Sequence, residues 1–189
     1  GGGKNQNLAK AIGIKSIKQK LYIMDVTAGL GRDAFILASL GAKVLMLERN
    51  DILAALLADG IYRARMIEEE KGEDFKEVFK RITLINNDSI DYLNTLEDTS
   101  IPDIVYIDPM FPPRQKSSQV KKEMQLLQRL IGPDEDSDKL LALAKSKARY
   151  RVVVKRPIHA KFLSDQAPSY SLKGKSTRYD IYSNKKIPD

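Results

Sequence analysis

Apolar positions along this chain fall into short unbroken runs and into longer periodic stretches, and the two alternate. "LYIMDVT" (21–27), "AKVLMLE" (42–48), "RITLINN" (81–87), "DIVYID" (103–108) and "YRVVVKR" (150–156) have strand length and strand composition. Between them, "RDAFILASLG" (32–41) and "DILAALLADGIYRARMIEEE" (51–70) repeat their apolar residues at helical spacing. Gly41 suits a C-cap of the first helix, and Asp51 the start of the second. "VKKEMQLLQRLIG" (120–132) is amphipathic in the same way, and "DSDKLLALAKSKA" (136–148) carries acids at its front and lysines at its back, as a helix dipole prefers. The stretch "KGEDFKEVFK" (71–80) reads as a charged connection. "YSLKGKSTRYDIYSN" (170–184) reads as two strands about a turn near Lys173-Gly174-Lys175. Strands without polar interruption are buried on both faces. The expected fold is therefore α/β: a mostly parallel twisted sheet with helices on both faces and a C-terminal antiparallel hairpin. Residues 1–189 read as a single domain, with 1–20 a helical lead-in.

Composition narrows the chemistry. At 189 residues and 42% apolar content, the chain can bury a substantial core. It holds no cysteine, which excludes disulfides, thiolate metal sites and cysteine nucleophiles, and suits the cytoplasm. The single histidine, His159, cannot build a multi-histidine site, so no metal is expected. No apolar run is long enough to span a bilayer. The net charge of +7 is unevenly spread: residues 1–113 hold 14 Lys+Arg against 17 Asp+Glu, net −3, whereas residues 114–189 hold 18 against 8, net +10. A basic half beside an acidic one suggests a face that meets a polyanion, nucleic acid first among them.

The first strand leads into "DVTAGLGRDA", where Gly29 and Gly31 make a G-x-G turn and Ala34 takes the third position of a dinucleotide fingerprint. A lone G-x-G is weak, since tight turns need glycine regardless. The context is stronger: a strand before it, a helix after it, and Glu48 ending the next strand, where a carboxylate can accept both ribose hydroxyls. NAD and S-adenosyl-L-methionine both suit that acid. Two residues favour the second. Asp25 sits inside the signature, unwelcome beside a pyrophosphate but useful near an ammonium and a sulfonium. Asp33 stands at the helix start, where a pyrophosphate would dock, although acids favour that position anyway. Arg32 could pair with a cofactor carboxylate or with Asp33. On the same rim, "NNDS" places Asp88 and Ser89, either beside an adenine amino group or as a plain helix cap.

"DIVYIDPMFPP" ends a buried strand on Asp108. A carboxylate there needs partners, and a substrate amine is one candidate. Pro109 lacks an N–H and leaves carbonyls to accept hydrogen bonds. Phe111 could stack on an unstacked base. Together they suit methylation of an exocyclic nucleobase amine, with rate gained by alignment. The bland alternative is that Asp-Pro ends a strand and Met-Phe packs in the core.

"DVTAGLGRDAFILASLGAKVLMLERN", "YIDPMFPPRQKSSQVKKEMQLLQRLIGPDED" and "RVVVKRP", with "GGG…AKAIGIK" and "RYDIY" at the ends, resemble the RsmJ family of class I methyltransferases. The resemblance implies a Rossmann-like fold and transfer of methyl from S-adenosyl-L-methionine to N2 of a guanine in 16S ribosomal RNA, with S-adenosyl-L-homocysteine as product. It implies ribosomal RNA or the small ribosomal subunit as partner. It implies cofactor contacts at Arg32, Asp33, Glu48, Arg49, Asp88, Ser89 and Asp108, beside Asp25, Gly29 and Gly31. Asn87-Asp88 departs from the small or hydroxyl residues common there, and the N-terminal segment usual in the family is absent from this sequence. The resemblance also gives the basic half a purpose. Arg114, Lys116, Lys121, Lys122, Lys155, Arg156, Lys173, Lys175 and Arg178 are expected to contact RNA phosphates. An NAD-dependent oxidoreductase, an adenine-N6 methyltransferase and a non-catalytic RNA-binding module remain as alternatives.

Overall fold

The computed structural model describes residues 6–14, 20–66, 73–109 and 137–188. Among these residues seven strands, β1 (Tyr22–Asp25), β2 (Lys43–Glu48), β3 (Ile82–Asn86), β4 (Ile104–Ile107), β5 (Arg151–Pro157), β6 (Tyr170–Lys173) and β7 (Thr177–Ser183), make one sheet in the order β3-β2-β1-β4-β5-β7-β6. The first five of that order are mutually parallel; β7 runs antiparallel to β5, and β6 antiparallel to β7. The described helices are α1 (Gln6–Ile12), α2 (Arg32–Ser39), α3 (Asp51–Met66), α4 (Glu73–Lys80), α5 (Ser89–Thr95) and α6 (Ser137–Lys147). The chain winds outward from β1 through β2 to β3, then returns to β4 on the other side of β1. That reversal opens a crevice at the carboxyl ends of β1 and β4.

Alternate residues of the central strands feed two separate cores. Ile23, Val44, Met46, Ile104, Tyr106 and Val153 pack with α1, α2 and α3. Met24, Leu45, Leu47, Val105, Ile107, Val152 and Val154 pack with α5 and α6. Both faces are covered, which is why these strands read as unbroken apolar runs.

The expected parallel sheet and terminal hairpin are both present. One expectation is corrected: residues 71–80 are not merely a connection, because Glu73–Lys80 forms α4. Phe75 and Phe79 lie one turn apart on it, with ring centroids 5.0 Å from each other, and Phe79 sits 5.5 Å from Phe35 of α2. The short α5 follows Asp88, whose Oδ1 accepts from Ile90 N (2.8 Å) and Asp91 N (3.3 Å) as its N-cap. The helix expected at 120–132 lies outside the described residues.

Candidate active site

Strand register assembles the site. Asp25 is level with Met46 of β2 and Tyr106 of β4, and Ile107 is level with Val154 of β5. Extending that register past the paired positions sets Glu48, Thr27, Asp108 and Lys155 abreast along the carboxyl edge. The hydrogen bonds agree: Asp108 N donates to Thr27 Oγ1 at 2.6 Å, and Lys155 Nζ donates to Asp108 Oδ2 at 2.8 Å. Parallel pairing thus delivers a carboxylate and an ammonium, 47 residues apart in sequence, to one spot.

Lys155 Nζ also reaches Asp33 Oδ2 at 2.7 Å, and the hydroxyl of the fully buried Tyr106 donates to that same oxygen at 2.7 Å. Burial opposes the charge of Lys155, but Asp108 and Asp33 outweigh it and hold the ammonium above the ordinary lysine range. Burial pushes the Asp108 carboxyl up, against the pull of Lys155. Burial, then Asp108 and Asp33, push the Tyr106 phenol well above its usual value, so it remains a donor. Asp25 is 2% exposed and its carboxyl is pushed up to about 7, chiefly by burial, although Thr27 N donates to its Oδ1 at 3.1 Å. The Asp108 side chain itself keeps 36% of its surface open at the mouth of the site.

Around the glycine turn, the backbone N–H groups are turned inward. Val26 N donates to Tyr106 O, Thr27 N to Asp25, Ala28 N to Leu47 O, Gly29 N to Glu48 Oε2 (2.8 Å) and Gly31 N to Ala28 O (2.8 Å). Gly29 and Gly31 both have positive φ, 53° and 67°. At Gly31 the positive φ is what calls for glycine, since the nearest atom to an added Cβ is Leu57 Cδ1 at 2.9 Å, the movable end of a side chain. Glu48 is buried, and its Oε1 takes a further N–H from Asn50 at 2.8 Å. Asp88 caps α5 and faces Arg49 at 3.8 Å, while Ser89 Oγ donates to Val26 O at 2.6 Å. Arg32 takes no part in the carboxylate cluster. It is exposed on the wall of an apolar hollow of about 410 Å3 between α2, α3 and α4, shared with Leu30, Phe35, Met46 and Leu57. No acidic side chain among the described residues lines that hollow.

A carboxylate rim over a positive-φ glycine turn, at the crevice beside β1, is a place for a nucleoside-bearing cofactor. The SAM_MT family model, described as a putative SAM-dependent methyltransferase, matches residues 1–184. The chain belongs to this family of SAM-dependent methyltransferases. The methyltransferase is 51% identical over 189 residues to ribosomal RNA small subunit methyltransferase J of Cellvibrio japonicus, covering all of this chain and 71% of that relative. It is 48% identical to the protein of the same name from Saccharophagus degradans, again over 71% of the relative's length. A crystal structure of a SAM-dependent methyltransferase from Neisseria gonorrhoeae superposes with a TM-score of 0.75 at 39% identity, over 97% of this chain and 67% of that one. An RNA methyltransferase from Salinibacter ruber, solved with S-adenosyl-L-homocysteine, shares the fold at 12% identity with a TM-score of 0.57 over 96% of this chain and 93% of that one.

The methyltransferase's donor set fits S-adenosyl-L-methionine better than a dinucleotide. The turn spends the N–H groups of Thr27, Ala28, Gly29 and Gly31 internally. An acid, Asp33, already occupies the first turn of α2. What the rim presents is carboxylate, suited to hydroxyls, an ammonium and a sulfonium. Asp25, Glu48 and Asp108 are brought together with the turn as the sequence suggested. Three expected RNA contacts are corrected. Lys155 is held between Asp33 and Asp108. Arg156 is buried, with Nε and Nη2 on Lys161 O. Arg178 is buried in a two-point ion pair with Asp180 (2.8 and 3.0 Å) and also holds the Ile158 and Ala160 carbonyls. Each is occupied within the protein rather than presented to phosphate. Lys173 and Lys175 are exposed. Pro109 is buried directly after Asp108, while Phe111, Arg114, Lys116, Lys121 and Lys122 lie outside the described residues. Sequence reasoning missed Thr27 and Tyr106 and misplaced Lys155. Counting from the strand ends would have found all three, since each is level with a residue already singled out or one turn of the pleat away.

Proposed function

We propose that this chain methylates the exocyclic N2 amine of a guanine in small-subunit ribosomal RNA, in the cytoplasm. The carrying observation is Asp108: a half-open carboxylate at the β4 terminus whose Oδ2 is held by Lys155 and whose Oδ1 takes no hydrogen bond among the described residues. Its relatives' names, which specify small-subunit ribosomal RNA, support the substrate class. Among the described residues no helix is long and apolar enough to cross a membrane.

Asp25, the glycine turn, Glu48, Ser89 and Asp108 would hold S-adenosyl-L-methionine, which supplies an electrophilic methyl group when bound. A guanine N2 is a weak nucleophile because its lone pair is delocalised into the ring. Oδ1 of Asp108 is placed to accept one N–H, turning the nitrogen lone pair toward the donor. With its pKa raised by burial, the same oxygen is placed to take the proton that the amine sheds. Pro109 cannot donate, so the adjoining carbonyls stay available for the second N–H. Phe111 would stack on the base.

Incubation with labelled S-adenosyl-L-methionine and unmodified ribosomal RNA, followed by nucleoside analysis, tests this. N2-methylguanosine is expected. Label in N6-methyladenosine, or no transfer, overturns the reading. Asp108→Ala should lower transfer by at least about 100-fold and weaken S-adenosyl-L-homocysteine binding; full activity in that variant removes the mechanism.

A further inference from the structure

Lys155 is set apart by its contacts. It is carried on β5, two strands from β1, and its Nζ lies 2.7 Å from Asp33 Oδ2 and 2.8 Å from Asp108 Oδ2. It therefore ties the first turn of α2 to the end of β4. Asp33 is in turn fixed by the Tyr106 hydroxyl from within β4. We propose that Lys155 is a positioning residue for methyl transfer: it clamps one oxygen of Asp108 and leaves the other presented to the incoming amine, a role that rests on Asp108 receiving that amine.

Two physical consequences separate this from a phosphate contact. The first is orientation. With Oδ2 engaged, rotation of the Asp108 carboxylate breaks a charge-assisted hydrogen bond, so the acceptor geometry is set before substrate arrives. The second is charge. Asp108 is faced by Asp25 from β1, Asp33 from α2, Tyr106 from β4, Tyr179 from β7 and Lys155 from β5. Lys155 is the cation of that group; without it, burial and Asp33 would together favour a protonated Asp108, which cannot accept an amine N–H through that proton-bearing oxygen.

Lys155→Met and Lys155→Arg are compared with the parent chain by kcat and KM for RNA across pH 5.5 to 9. Lys155→Met should lower kcat at neutral pH about tenfold or more, with partial recovery as pH rises, and should leave KM for RNA and its salt dependence unchanged. Lys155→Arg keeps the charge and should restore the acid limb of the parent. A Lys155→Met enzyme whose pH profile is unmoved but whose RNA KM rises overturns the proposal in favour of a phosphate contact. Circular dichroism checks that both variants fold. Carbon-13 titration of the aspartate carboxyls in the resting protein, with the Asp108 signal assigned from Asp108→Asn, supplies a readout independent of activity. That titration should move to higher pH in Lys155→Met, and an unmoved titration overturns the proposal. Should the parent chain methylate no RNA, the function proposed for it fails while the titration still tests the clamp.

Discussion

Asp25 closes β1 with almost no solvent contact, and its carboxyl titrates at about 7 rather than at the ordinary 3.8. The folded state therefore binds a proton that the unfolded chain has already lost. A raised folded-state pKa contributes stability that is complete below the unfolded value and is lost as pH climbs through the folded one. Between pH 4 and pH 7 the loss from this one group is on the order of 4 kcal/mol. Asp25→Asn keeps an oxygen for Thr27 N and removes the titration. Urea unfolding at pH 4.5 and pH 7.5 should show the parent losing more stability over that interval than the variant; equal losses would mean that Asp25 is ionised throughout. Glu48, the other buried acid of the rim, differs because two backbone N–H groups, from Gly29 and Asn50, compensate its charge. The two acids therefore play distinct parts. Glu48 carries two backbone N–H donors where Asp25 carries one.

At the scale of elements, legibility followed burial. β1, β2, β4 and β5 were readable because sandwiching a strand between two helix layers demands an unbroken apolar run, and Ile23-Met24 or Val152-Val153-Val154 can be little else. α4 was obscured because Glu73, Asp74, Lys76, Glu77 and Lys80 dominate the eye, while its burying residues are only Phe75, Val78 and Phe79. Asp88 was legible as a cap or as a ligand, and its Oδ1 caps α5. The tail illustrates a deeper limit. Composition cannot tell a lysine or arginine at a surface from one spent inside, and Arg178 is spent inside. It pairs with Asp180, stacks 4.8 Å from the Phe162 ring and holds two carbonyls of the loop after β5. Ser171 of β6 also donates to Asp180. Arg178→Ala would deprive Asp180, 0% exposed, of its two-point ion pair. A loss of about 3–5 kcal/mol follows, or roughly 10 °C in Tm for a chain of this size. Lys175→Ala, exposed at the hairpin turn, should leave Tm within about 2 °C. Matching melts for the two variants would show that the ion pair contributes nothing.

For the molecule as a whole, the question is where the excess positive charge of the second half faces. Part of it is internal, at Lys155, Arg156 and Arg178. Of the exposed remainder, one group lies at a single edge. β5 ends at Pro157, opposite Thr177 of β7, and Ile158 N donates to Ser176 O, joining the loop after β5 to the hairpin tip. His159 and Lys161 on that loop, and Lys173 and Lys175 on the tip, are exposed. Since β5 and β4 are parallel, this edge lies at the same end of the sheet as Asp108, one strand beyond it. A strand of RNA entering the crevice from this edge would meet these lysines on its way to the carboxylate. Replacing Lys161, Lys173 and Lys175 together by glutamate should therefore weaken RNA binding and lower the log-affinity against log-salt slope by roughly 2, the loss of three phosphate neutralisations. S-adenosyl-L-homocysteine affinity, measured by calorimetry, should not change, because none of the three reaches the rim. A slope equal to that of the parent would place the RNA on another face of the sheet. A parallel loss of cofactor affinity would mean that the hairpin supports the site structurally rather than by charge.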